Sequence, residues 1–253
     1  MSTGASVLRE RADRVPIAAI TAGVALAAIP FLTPLPLPML VAVWITSLAL
    51  RSIAPVHQHC HSHHAIFQAS WANALYDAVL MLAAGNTTSI WEHQHVRGHH
   101  QNYLERDGDP ANNDRFGKHR RFTFTVLGDA MSTIDSFRLS TPRTRPRLTR
   151  QLLGQLAILV GLLVVDPVLA ITFVVVPWVL LRWFIFWFSY AQHHDVPMED
   201  VYSGSVTHFH WTNRFYLNVG HHTAHHEKPT LHWSKLPART SFILERIPAR
   251  CLR

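Results

Sequence analysis

The sequence predicts an all-α integral membrane protein in which four transmembrane helices carry a helical cap on the cytoplasmic side. Three observations carry that expectation. Hydrophobic residues make up 48% of the chain and charged ones only 15%, and the apolar residues fall in long runs, which suits a bilayer better than a soluble core. Prolines divide those runs into pairs. The presumed outer turns at 33–38 and 166–167 hold no Lys or Arg, while 51–150 and 193–253 hold most of them; the positive-inside bias then places both termini and the polar segments in the cytoplasm. No Gly/Ser linker or shift of composition divides the 253 residues, so a single domain over 1–253 is expected.

Each element has its own signal. After a polar start with Arg9, Arg11 and Arg14, residues 15–32 run without a charge; a second run follows almost at once, so this reads as a first membrane helix and not a signal peptide. Thr33-Pro34-Leu35-Pro36-Leu37-Pro38 cannot continue a helix, because alternating prolines remove donors and push their predecessors out of the α region. The second span, 39–54, is short for the ~20 residues a bilayer needs, so its helix is expected to continue past Pro55 into the histidines that follow. Trp71 to Ala84 contains Asn73 and Asp77 and reads as a buried or interfacial helix. Ser89-Ile90-Trp91-Glu92 has capping-box spacing and would start the next helix, which Asp107-Gly108-Asp109-Pro110 ends. Lys118, Arg120 and Arg121 before Phe122 to Leu127, with Arg143, Arg145, Arg147 and Arg150 after, fit a segment lying on anionic headgroups or a solvated basic loop. Spans 152–165 and 168–190 complete the four. Arg182 lies inside the last and must snorkel, pair or sit near an end.

The chemistry is concentrated in three histidine clusters, at 57–64, 93–100 and 221–226, which hold 13 of the chain's 19 histidines. Histidine is a poor helix former and costly to bury unpaired, and the simplest cause of such clustering is metal. On a helix, His222, His225 and His226 emerge from one side of a turn. His95, His99 and His100 form a second set, with His93 on a neighbouring angle. The first cluster offers two registers on opposite faces, His57 with His61 and His59 with His63. Eight ligands exceed what one ion can use, so two metals are the simpler reading. All-imidazole ligation suits Fe, Zn, Cu or Ni. The H-E-x-x-H of zinc proteases is absent, and Glu92-His93-Gln94-His95 is the only E-x-x-H of the kind paired in soluble di-iron bundles.

The series His59 to His63, His95 with His99-His100, and His222 with His225-His226 resembles the membrane fatty-acid desaturase and hydroxylase superfamily, which includes alkane hydroxylases and carotene ketolases. Asn218, Gly220, Pro229, Trp233 and Pro237 around the third cluster are its most specific part, and the likeness covers nearly the whole chain. The resemblance implies a di-iron site held by about nine histidines, O2 as cosubstrate and an external electron donor. His59, His61, His63 and Phe67 match the family's first box and favour His59 and His63 as ligands over His57 and His61. Ser189-Tyr190-Ala191-Gln192-His193 matches its run after the last span except at Ser189 and implies His193 as a further ligand. The expected metal set is therefore His59, His63, His95, His99, His100, His193, His222, His225 and His226. His61, Glu92, Asp195 and Asn218 are candidates to support it, with Asp107 and Asp109 as further carboxylates able to hold a ligand's second nitrogen.

The expected function is O2-dependent oxidation of an unactivated C–H bond in a lipid or fatty acyl chain, desaturation before hydroxylation. A metal-transport protein is the alternative from another class; it would place ligands inside the spans along a pathway, whereas these clusters lie at or beyond the span ends. No cysteine cluster or G-x-G-x-x-G marks a fused redox cofactor, so electrons should come from a small acidic protein of ferredoxin, rubredoxin or cytochrome type docking on the basic face. The net charge of +7 accompanies no nucleic-acid motif, and no nucleic-acid partner is expected. Cys60 and Cys251 are too few and too far apart in sequence for a disulfide framework.

Overall fold

The computed structural model describes residues 7–105 and 108–253. Helix α1 (Arg14–Leu32) and helix α2 (Leu37–Arg51) form a hairpin whose turn contains the expected prolines. After Ser52-Ile53 the chain resumes as α3 (Ala54–His63), with Pro55 in its first turn, where the missing N–H has no intrahelical acceptor to lose. The second span is therefore 27 residues, Leu37–His63, and ends in the first histidine cluster. Helix α4 (Ser70–Ala84) follows, then α5 over 88–102, α6 (Arg121–Leu139), α7 (Arg145–Val165), α8 (Pro167–His193), α9 (His222–Glu227) and α10 (Leu236–Ile243). Among the described residues there is no strand, only the isolated bridges Leu8 to Phe67 and Thr207 to Leu252. Among the described residues, four helices are long and apolar enough to cross a membrane: Arg11–Leu32, Leu37–His63, α7 and α8.

Helix α8 explains how the apolar hairpin is fastened to the rest. Its turn Ile171–Val175 is π-helical, and Pro177 follows in the next turn with no N–H to give. The carbonyls of Thr172 and Phe173 then lack their helical donors. Trp44 Nε1 donates to Thr172 at 2.8 Å and Arg51 Nη1 to Phe173 at 3.0 Å. Arg51 is 1% exposed and also donates to Ala83 and Leu82 at the open end of α4. One guanidinium thus satisfies carbonyls of two helices, and Gly23 makes room for it: a Cβ there would lie 2.8 Å from Arg51 Cγ.

Two local expectations are corrected. The basic segment 118–150 is not a solvated loop. Its middle is α6, whose Asp129 pairs with Arg182 at 2.7 Å and so resolves the charge inside the last span, and its end is the first turns of α7, begun by Pro146 at a favourable position. Nor does Ser89 cap α5. That helix starts one residue earlier, Thr87 makes no side-chain cap, the Ser89 N–H goes to Gln151 Oε1 at 3.1 Å, and Glu92 is drawn away by Arg147 at 2.6 Å. A long-range ion pair outcompetes the local cap.

The candidate metal centre

The four spans bring their polar ends together. Asp13 at the start of α1 meets His57 on α3, Arg147 in the first turn of α7 meets Glu92 and Asp77, and His193 at the end of α8 meets His99. All three histidine clusters therefore collect at one end of the bundle, at span termini and not along a path through them. Helix α5 is π-helical over Trp91–His99, and the wider turn brings residues five apart onto one side. His95 and His100 accordingly place their Nε2 atoms 3.0 Å apart. Helix α9 follows Leu217 and Asn218, both in the left-handed region at φ 51° and 56°; Asn213 holds this turn by accepting from the Gly220 N–H and through its own carbonyl from the Asn218 N–H. A Cβ on Gly220 would meet Asn213 Oδ1 at 2.3 Å, so glycine is required there.

Nine imidazoles form two groups. His59, His63, His95, His100 and His225 make one; His99, His193, His222 and His226 make the other, and within each group the candidate donor atoms all lie within 4.8 Å of one another. In the first, His100 Nε2 is 2.9 Å from His225 Nε2, which is 3.1 Å from His59 Nε2. In the second, His193 Nε2 lies 2.9, 3.1 and 3.3 Å from the Nε2 atoms of His222, His99 and His226. Donors about 2.1 Å from one shared ion are separated by roughly 3.0–3.4 Å in tetrahedral to octahedral arrangements, so the spacing fits.

Tautomer logic adds a second test. His99 Nδ1 is 2.8 Å from Asp109 Oδ2 and His193 Nδ1 is 3.1 Å from the Gly204 carbonyl. Carboxylate and carbonyl can only accept, so both Nδ1 atoms carry their protons, and the two Nε2 atoms face each other 3.1 Å apart. A cation shared between the two Nε2 atoms, a metal ion or a proton, makes that contact favourable. His63 Nε2 is likewise buried without a partner. Burial, reinforced by the surrounding imidazoles, pushes the pKa of His95, His100, His222, His225 and His226 well below the usual imidazole value, which keeps them in the form that ligates. For Asp109, burial alone would raise the carboxyl; the His99 imidazole and the Ala111 N–H hold it below its usual value. The nine residues fit two metal ions.

The remaining histidines of the first cluster have other partners. His57 Nε2 is 3.1 Å from Asp13 Oδ1 and its Nδ1 is 2.7 Å from the Tyr76 hydroxyl; the same Asp13 oxygen accepts from Trp233 Nε1 at 2.8 Å and faces His232 Nε2 at 3.1 Å. His61 Nε2 pairs with Asp77 at 3.3 Å and its Nδ1 accepts from the Ile66 N–H. Neither His57 nor His61 enters a donor group. The expected supports also lie elsewhere: Glu92 pairs with Arg147, Asn218 Nδ2 donates to the Trp233 carbonyl, and Asp195, at φ 57°, lines a polar pocket beside His193. Asp109 takes the supporting role; Asp107 lies outside the described residues. The Gly204 carbonyl and the Asp13 hub had no sequence signal: the first is a backbone group that any residue type supplies, and the second acts across 44 residues.

Two apolar cavities abut the histidines. One, of about 30 Å³, lies against His59, His63, His222 and His225; the other, of about 40 Å³, against His59, His95 and His222, with Ile185 and Phe186 of α8 also in its lining. An apolar membrane bundle with two all-imidazole donor groups at one end and greasy cavities against both is the frame of a membrane oxidoreductase. The chain matches the fatty acid desaturase family over residues 15–253 and belongs to it. Neither a curated protein nor a solved structure matches the chain.

Proposed function

We propose that this protein desaturates an acyl chain of a membrane lipid or fatty acid at a di-iron centre. The observation that carries the reading is the shared wall of the two apolar cavities: His59 belongs to one donor group and His222 to the other, and both face both cavities. A chain lying there passes both groups. His59, His63, His95, His100 and His225 would hold one iron and His99, His193, His222 and His226 the other. Bound there, the irons would supply reduction of O2 with two external electrons. The balance is R–CH2–CH2–R′ + O2 + 2 e⁻ + 2 H⁺ giving R–CH=CH–R′ + 2 H2O.

The chain's own residues bind, orient and exclude water. Ile185, Phe186, Val56, Leu217 and Val219 surround the histidines with hydrocarbon, which keeps water from the reacting carbon. Asp109 and the Gly204 carbonyl fix the ring orientation of His99 and His193 by holding the Nδ1 protons. The electron donor is a small acidic protein of ferredoxin, rubredoxin or cytochrome type, and the histidine end with both termini faces the cytoplasm, where Lys and Arg collect. The test is product analysis of iron-loaded protein in phospholipid vesicles with a reduced ferredoxin. An alkene that disappears when the ferredoxin is omitted supports the reading; an alcohol as the sole product moves it to hydroxylation, and no O2 consumption with lipid present sinks it.

A further inference from the structure

A groove of about 610 Å³ opens between the hairpin of α1 and α2 and the segment before α9. One wall is Val15, Ala19, Ala49 and Ile53, all within the first two spans. The other carries Trp211 and Phe215, 63% and 56% exposed, with Arg214 stacked over the Phe215 ring. Exposed aromatics beside a cation are suited to the interfacial layer of a bilayer, and one wall of the groove is made of membrane spans. Leu217 and Trp233 line this groove and also the small cavity lined by His59, His63, His222 and His225. These two side chains form a common wall between the groove and the histidine cavity.

Leu217 is 4% exposed and sits at φ 51°, a region that is uncommon for a bulky residue and persists only where its surroundings enforce it. We propose that the groove is a lateral door by which the acyl chain of a bilayer lipid reaches the histidine cavity, with Leu217 as its gate. The cavity's other mouth, beside Arg9 and Glu10, is charged and would suit a chain delivered from water; the apolar groove commits the path to lipid. This rests on the proposed lipid substrate, but its test reads where a chain lies and not whether it is oxidised.

The full-length, iron-loaded protein in phosphatidylcholine vesicles is photolysed with a trace of phosphatidylcholine bearing a diazirine at the acyl terminus, and adducts are mapped by mass spectrometry. Adducts are expected on Ile53, Phe215 and Leu217 and, beyond the gate, on Val219. Ala49→Trp, a filling change at an exposed position, should lower the Val219 adduct about tenfold, a factor that corresponds to ~1.4 kcal/mol; Leu217→Trp should do the same while leaving Phe215 labelled. Adducts confined to Arg9 and Ala65 at the charged mouth, or a Val219 adduct unchanged by Ala49→Trp, overturn the door. Labelling past the gate without any oxidised product would leave the door standing and remove the oxidation reading.

Discussion

Two buried imidazole clusters lie side by side in this molecule and are built on opposite rules. Around Asp13, every histidine nitrogen that matters has a group of complementary character: His57 reaches a carboxylate and a phenol, and His232 reaches the same carboxylate and a serine hydroxyl. Around His193 and His100, imidazole meets imidazole, Nε2 against Nε2, with the far nitrogens of His99 and His193 already committed as donors. The first arrangement is complete as it stands. The second is complete only with a cation inside. A buried polar group without a partner costs about 1–3 kcal/mol, and nine rings turned inward have that cost concentrated at one place, which is how a ligand set differs from a structural histidine.

The contrast can be broken from either side. The largest effect is expected at the ligands: His100→Ala removes the nitrogen that links His95 and His225, and activity in the product assay should fall below detection while the protein remains folded by circular dichroism. Next comes the hub, where Asp13→Ala leaves three donors facing one another without an acceptor; unfolding in denaturant should reveal a loss of about 3 kcal/mol, with iron still bound. Asp109→Asn should be smaller again, lowering iron affinity or turnover by about 10–100-fold through the orientation of His99, and metal titration would read it.

The pH response is the mildest. Burial lowers the pKa of His95, His100, His222, His225 and His226 in the folded metal-free protein, so below about pH 6.5 the unfolded chain takes up protons that the folded one refuses. Stability of the metal-free form should be level above that pH and decline below it, by at most about 1.4 kcal/mol per pH unit for each imidazole. A stability that rises on acidification would contradict the buried neutral rings.

The same contrast marks what the sequence could reveal. The four spans were legible because an apolar run long enough to cross hydrocarbon has few other uses, and that His222, His225 and His226 emerge from one turn followed from helical spacing, whereas their division, His225 to one donor group and His222 with His226 to the other, did not. The register of the first cluster was not legible from spacing, because His57 with His61 and His59 with His63 are equivalent on an isolated helix. It is decided by Asp13, 44 residues away, and by Asp77, which takes His61. The meeting of His95 with His100 depends on π winding, which has no composition signature. Glu92 misled for the reason that local patterns often do: its cap role was outbid by Arg147 across 55 residues.

The most direct test of the central claim is to count metal in purified, anaerobically iron-loaded protein, comparing wild type with His225→Ala and with His57→Gln. Wild type and His57→Gln should each hold about two irons per chain, and His225→Ala should lose iron. One tightly held zinc with no iron after loading, or iron lost as readily from His57→Gln as from His225→Ala, would contradict that claim.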